Sequence, residues 1–212
     1  MELFSGYYRR QEDNSVSLLL EQYVYRGLPV CLGCICAGAG SVGSRRGAEF
    51  VARLRERFRE SDLRRAVRQP EKWMMERGRE LEREAVEATG SPEEVSFAVF
   101  LCIGESFLLF YRGCYGAYLC NTGLAGSAVK PIFEARQERE VFAFRFGSME
   151  PGIGILLTIK ELEKILPQSR LEDCLSVGEI RSPEQTEKRV RELGMAAERQ
   201  GNSIAALLLE VR

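Results

Sequence analysis

The chain contains no histidine. Ser-His-Asp and Cys-His nucleophile systems, histidine-ligated zinc and imidazole acid–base catalysis are therefore excluded within it. An enzyme built from these residues has carboxylates, lysine, tyrosine, cysteine or a bound metal to work with. Long apolar runs are missing as well: no stretch of about 18 residues reads as a bilayer span, and no basic-then-apolar leader opens at Met1. Net charge is also nearly absent, at −1 over 212 residues, so no overall field draws the chain to nucleic acid or to a membrane surface. Together these absences predict a cytoplasmic protein that binds neither. No repeat, low-complexity tract or linker divides the sequence, which predicts a single domain over residues 1–212.

What is present suits such a domain. The chain is 45% hydrophobic and 29% charged, enough apolar material for one sizeable core. Seven cysteines (Cys31, Cys34, Cys36, Cys102, Cys114, Cys120, Cys174) form an odd set without an export signal. Most stand inside apolar runs, where a free thiol behaves as a small hydrophobe. The spacing Cys31-x-x-Cys34-x-Cys36 can chelate a metal or close a disulfide. No second such pair follows, and in a strand Cys34 and Cys36 share one face while Cys31 points to the other. Core packing is the reading; a cysteine-based metal or redox module, joined by Cys114, is the alternative.

The chain is organised around VCLGCICAGAGSVGSRRGAEF, from Val30 to Phe50. A short apolar run meets the small-residue turn Ala37-Gly38-Ala39-Gly40-Ser41, and a basic amphipathic helix follows. Strand, glycine turn and helix can present backbone N–H groups or a metal-ligating side chain, yet this turn has no side chain able to do chemistry. Upstream, Ser15–Tyr25 reads as strand, with a turn at Arg26-Gly27-Leu28-Pro29. The helix spans about Ser44 to Arg59, with Ala48, Val51, Leu54 and Phe58 on its apolar face. A second helical stretch starts at an N-cap, Ser61, breaks at Pro70 and resumes through Trp73, Leu81 and Ala85 to Gly90. Its alternating Arg and Glu residues read as a solvated face.

After Gly90 the pattern turns to strands: Val95–Ile103, Phe107–Tyr111, Gly116–Cys120, Val129–Phe133, Val141–Phe146 and Ile153–Leu157. A short helix is predicted over Lys160–Leu166. Ser182-Pro183-Glu184-Gln185 reads as a capping-box start for a helix with Thr186, Val190, Leu193 and Ala197 buried. Ile204–Val211 is a nearly continuous apolar run, hence a central strand. Hairpin-like strand pairs favour an antiparallel α+β protein over a doubly wound parallel sheet.

That order, with short motifs in their places, resembles the metal-dependent Ser/Thr protein phosphatases of the 2C type over about Arg9 to Val211. The resemblance implies two packed antiparallel sheets flanked by helices, an αββα sandwich, with a two-metal site at one end. The family's opening basic residue and acidic pair are matched by Arg9-Arg10-Gln11-Glu12-Asp13, with the arginine spacing offset. Its D-G-x-G-G turn is matched by Ala37-Gly38-Ala39-Gly40-Ser41, with Ala37 at the bridging Asp. Its G-D-S-R hairpin corresponds to Gly113-Cys114-Tyr115-Gly116, with Cys114 at the Asp. Leu156-Leu157-Thr158-Ile159-Lys160-Glu161-Leu162 stands at the L-L-x-(S/T)-D-G-L motif, with Ile159-Lys160 for Asp-Gly. The closing D-N reads Gly201-Asn202.

Under this resemblance Ala37, Ile159 and Gly201 replace three metal carboxylates, and Cys114 replaces a further acidic position. Two hard dications need several oxygen ligands, so the reading is a catalytically inactive phosphatase-like binding or regulatory module, without metal or cofactor. It belongs to Ser/Thr phosphorylation signalling, with a protein or phosphoprotein partner. The vestigial positions are Glu12, Asp13, Ala37, Gly38, Cys114, Ile159, Lys160, Gly201 and Asn202; Arg9, Arg10 and Lys160 are candidates for anion binding. Predicted strands take up most of the stretch from Leu119 to Leu156, which implies a shortened flap region. The alternative within the family is a residual metal-dependent phosphatase rebuilt on Glu12, Asp13 and Glu161.

Overall fold

The computed structural model describes the whole chain except residues 1, 11–14, 59, 91–93, 114–115, 122–127, 133–142, 176–181 and 212. At 60–62, 81–82, 84, 86, 88–89, 121, 128 and 143–146 it describes the backbone alone. In chain order the elements are β1 (Leu3–Arg9), β2 (Val16–Tyr25), β3 (Leu28–Gly38), α1 (Gly40–Arg57), α2 (Glu60–Arg68), α3 (Pro70–Thr89) and β4 (Val95–Ile103). Then come β5 (Ser106–Arg112), β6 (Gly116–Asn121), β7 (Ala128–Pro131), β8 (Ala143–Ser148) and β9 (Ile153–Thr158). A 3-10 turn (Leu162–Lys164), α4 (Gln168–Leu175), α5 (Pro183–Arg199) and β10 (Ala205–Val211) complete the chain. The architecture is α+β, with two five-stranded antiparallel sheets, as the strand pattern predicts. The chain divides into two compact units with one sheet each: Met1–Asp13, Cys114–Gln137 and Met149–Arg212 form the first, and Asn14–Gly113 with Glu138–Ser148 the second.

The second unit carries the order β2-β3-β4-β5-β8. Alternation along β3 turns Leu32, Cys34 and Cys36 to one face, where they meet Phe50 and Leu54 of α1 and Phe97, Val99 and Phe110 of neighbouring strands. The buried residues of α1 are Gly43, Gly47, Phe50 and Leu54. Of the face read from the sequence, Leu54 is buried and Val51 and Phe58 pack partly buried against the same core, while Ala48 is exposed and gives way to Gly47. The physical reason is close backbone contact. A Cβ on Gly38 would lie 2.1 Å from the Gly43 carbonyl carbon, and one on Gly43 would lie 2.4 Å from the Glu94 carbonyl oxygen. A Cβ on Gly47 would lie 2.9 Å from the Cys36 sulfur. The helix therefore presses glycines, not side chains, against the end of β3, and it begins at Gly40, ahead of the predicted Ser44. The break between α2 and α3 falls where Pro70 demands it, with Pro70 in the first turn of α3. The helix before it starts at Glu60, one residue ahead of Ser61.

In the first unit the order is β1-β10-β9-β6-β7. All seven residues of β10 are buried, as the apolar run predicts for an inner strand. Leu156, Ala206 and Leu208 pack with Val190, Leu193 and Ala197 of α5 and Leu171 of α4. Close approach again uses glycine: Gly6 lies under the Thr186–Glu187 backbone, and Gly194 under the Tyr8 ring. β1 and α4 have no counterpart in the sequence reading, and the helix expected over Lys160–Leu166 is only the 3-10 turn. Ser182 caps α5 in extended conformation without a side-chain bond to the backbone. It hydrogen-bonds the Glu184 carboxylate instead, lowering its pKa.

Within the apolar β10, Glu210 is 1% exposed. Its carboxylate accepts hydrogen bonds from Thr186 Oγ1 at 2.6 Å and from Arg189 Nη2. Glu210 Oε1 and Arg189 Nη1 are buried without a partner among the described residues. Burial raises the Glu210 carboxyl above its ordinary 4.5, against the opposing pull of Arg189 and Thr186.

The described cysteines are free and buried. Cys31 stands opposite Cys102 in the β3–β4 register, away from Cys34 and Cys36. Burial pushes the Cys36, Cys102 and Cys120 thiols up to about 12 and raises Cys31, Cys34 and Cys174.

Three outcomes follow from this packing. Gly38→Ala is expected to cost about 3 kcal/mol in urea unfolding because its Cβ meets backbone. Gly40→Ala, with open space around a φ of +64°, should cost only about 1 kcal/mol of backbone strain; the reverse order would contradict the close-contact account. For Glu210, a raised folded pKa means its contribution is complete below pH 4.5 and is lost as pH rises through the folded value. The stability of the protein relative to Glu210→Gln should thus fall with rising pH above that point. A rise would mark a carboxylate held ionised by Arg189. The six described cysteines should react with a disulfide reagent at neutral pH only on unfolding, as peptide mapping of the labelled thiols would show.

Candidate functional site

In the second unit, the strand–turn–helix corner is built almost wholly from backbone. Ala37, half-buried, lies in register between Val16 of β2 and Ser96 of β4. Gly38 N–H donates to the Ser15 carbonyl at 2.9 Å, and Ala39 N–H to the Glu94 carbonyl at 2.7 Å. Ser44 Oγ donates to the Gly40 carbonyl at 2.6 Å, and Arg46 pairs with the Glu94 carboxylate. The same sheet end carries Gly113, whose φ of +88° and contact with Ser96 Oγ leave no room for a side chain. Beside it Arg112, 5% exposed, donates to the Gly90 carbonyl at 2.5 Å. Burial lowers its pKa. The corner is held firmly and offers no carboxylate at Ala37.

In the first unit, three further candidate pairs gather at one sheet end. Arg9 is in register with Ala205, whose carbonyl accepts from Ile159 N–H at 3.2 Å. Arg9-Arg10, Ile159-Lys160 and the turn Gly201-Asn202 leading into β10 therefore lie at the ends of adjacent strands. Gly201 takes φ +75°, with its N–H on the Glu198 carbonyl at 2.8 Å. Asn202 Nδ2 donates to the Gln200 carbonyl at 3.1 Å, so its amide is used locally. Arg9, Arg10 and Lys160 are all exposed.

Two residues to which the sequence reading gave no site role fix the turn after β9. Thr158 Oγ1 donates to the Lys160 carbonyl at 2.6 Å. Tyr118 OH accepts from Leu162 N–H at 2.6 Å and donates to the Glu163 carboxylate. Burial, then the Glu163 bond, raises the Tyr118 pKa. Tyr118 stands two residues beyond Gly116, which leaves space for its ring; a glycine–small–tyrosine run beside a T-x-K turn was the available signal.

Glu12, Asp13 and Cys114 lie outside the described residues. Of the other vestigial positions, Ala37 and Gly38 belong to the second unit, and Ile159, Lys160, Gly201 and Asn202 to the first. Ala37, Ile159 and Gly201 carry no side-chain oxygen, and no group of His, Cys, Asp or Glu among the described residues is arranged to hold a metal ion. The described residues do not fit a metal pair. Nor do the described thiols form a metal or redox site, being buried and protonated.

No protein-family model and no curated protein sequence matches the chain. Solved structures do. The Streptococcus agalactiae serine/threonine phosphatase is 12% identical, with 100% of each chain covered and a TM-score of 0.64. PppA, described as a key regulatory component of the type VI secretion system in Pseudomonas aeruginosa, is 16% identical, covering 100% of this chain and 99% of its own, with a TM-score of 0.62. The catalytic domain of the serine/threonine protein phosphatase PstP, in complex with 2 manganese ions, is 15% identical over 98% of each chain, with a TM-score of 0.57. Likeness of this extent across both sheets means that the chain has the fold of the 2C-type serine/threonine protein phosphatases.

Proposed function

We propose that this chain is a pseudophosphatase: one 2C-like domain over residues 1–212 with a shortened flap, kept as a binding or regulatory module and not as a hydrolase. The observation that supports the reading is that Ala37, Ile159 and Gly201, set by the resemblance against metal carboxylates, carry no side-chain oxygen. A pair of divalent cations requires anionic oxygens to offset dehydration and mutual repulsion. A methyl group, an isoleucine and a glycine supply none, and Lys160 adds positive charge at the sheet end of Ile159. Without a metal-bound hydroxide there is no histidine to act as base in its place. The partner class is a protein or phosphoprotein of a Ser/Thr phosphorylation system, in the cytoplasm. Two facts agree with it: PppA is described as a regulatory component, and no described helix is long and apolar enough to cross a membrane. Arg9, Arg10 and Lys160 then serve as the groups that meet an anionic part of the partner.

Purified protein should release no p-nitrophenol from p-nitrophenyl phosphate above background with millimolar manganese or magnesium, and neither ion should shift its melting temperature. Metal-dependent hydrolysis abolished by Asp13→Ala would overturn the proposal in favour of a rebuilt metal site.

A further inference from the structure

We draw no further inference here: the strongest candidate, the outer edge of β2 in the second unit's sheet, where Leu18, Leu20 and the largely exposed Val24 share one face, carries nothing because nothing in the structure shows what covers it.

Discussion

The contact between the end of β3 and the first turns of α1 admits no side chain, and the rest of the second unit is arranged around it. Gly38 and Gly43 let two backbones meet and Gly47 makes room for the Cys36 sulfur, which fixes how far Phe50 and Leu54 reach into the face formed by Cys34, Cys36, Phe97 and Phe110. Because the contact is between main chains, it is indifferent to the residue at position 37. Ala37 takes its place in register through its backbone alone. A fold whose tightest joint depends on glycine can lose a functional carboxylate beside it without losing the joint. This separation of packing from chemistry is the physical basis on which a phosphatase fold can outlast phosphatase activity.

The same reliance on glycine explains where sequence reading succeeds and fails. Residues 183–199 could be phased correctly because Thr186, Val190, Leu193 and Ala197 repeat at helical spacing and are all buried. Pro70 marked its helix break, and the run before Val211 marked an inner strand. In α1 the start of the buried stripe was missed because periodicity counts large apolar residues, while that stripe begins with two glycines. β1 escaped notice because Gly6 and Ser5 interrupt its alternation; it is an edge strand held by β10 and by α5 across Gly6. α4 is too short to show a period. At the candidate site, sequence could name Arg9, Ile159, Lys160 and Gly201, but their convergence on one sheet end depends on β1 pairing with β10, and that pairing is invisible without β1.

Glu210 exposes a second limit. In a run read as apolar it is the one charged residue, and it is buried on the helix side against Thr186 and Arg189. Removing a carboxylate from water costs several kcal/mol, and a single cation with imperfect geometry does not return all of it. The orphaned Oε1 and Nη1 show the shortfall directly. Such a pair ties α5 to β10 in one rotational setting more than it stabilises the fold. A leucine in its place would leave the buried Arg189 and Thr186 without this acceptor, a loss of about 3–5 kcal/mol.

Electrostatics gives the clearest ground for separating fold from activity at the vestigial positions. Two dications about 4 Å apart repel by about 4 kcal/mol in bulk water and by about 17 kcal/mol at an effective dielectric of about 20. Carboxylates between and around them are what make such a pair tenable. At the first unit's sheet end Ile159 and Gly201 supply no such oxygen, and Arg9, Arg10 and Lys160 there are cationic and exposed. Positive charges at that end favour an anion there, as the proposed binding role requires. Fixed arginine and lysine can attract a phosphoryl or carboxylate group but cannot, as a bound metal does, lower the pKa of a water.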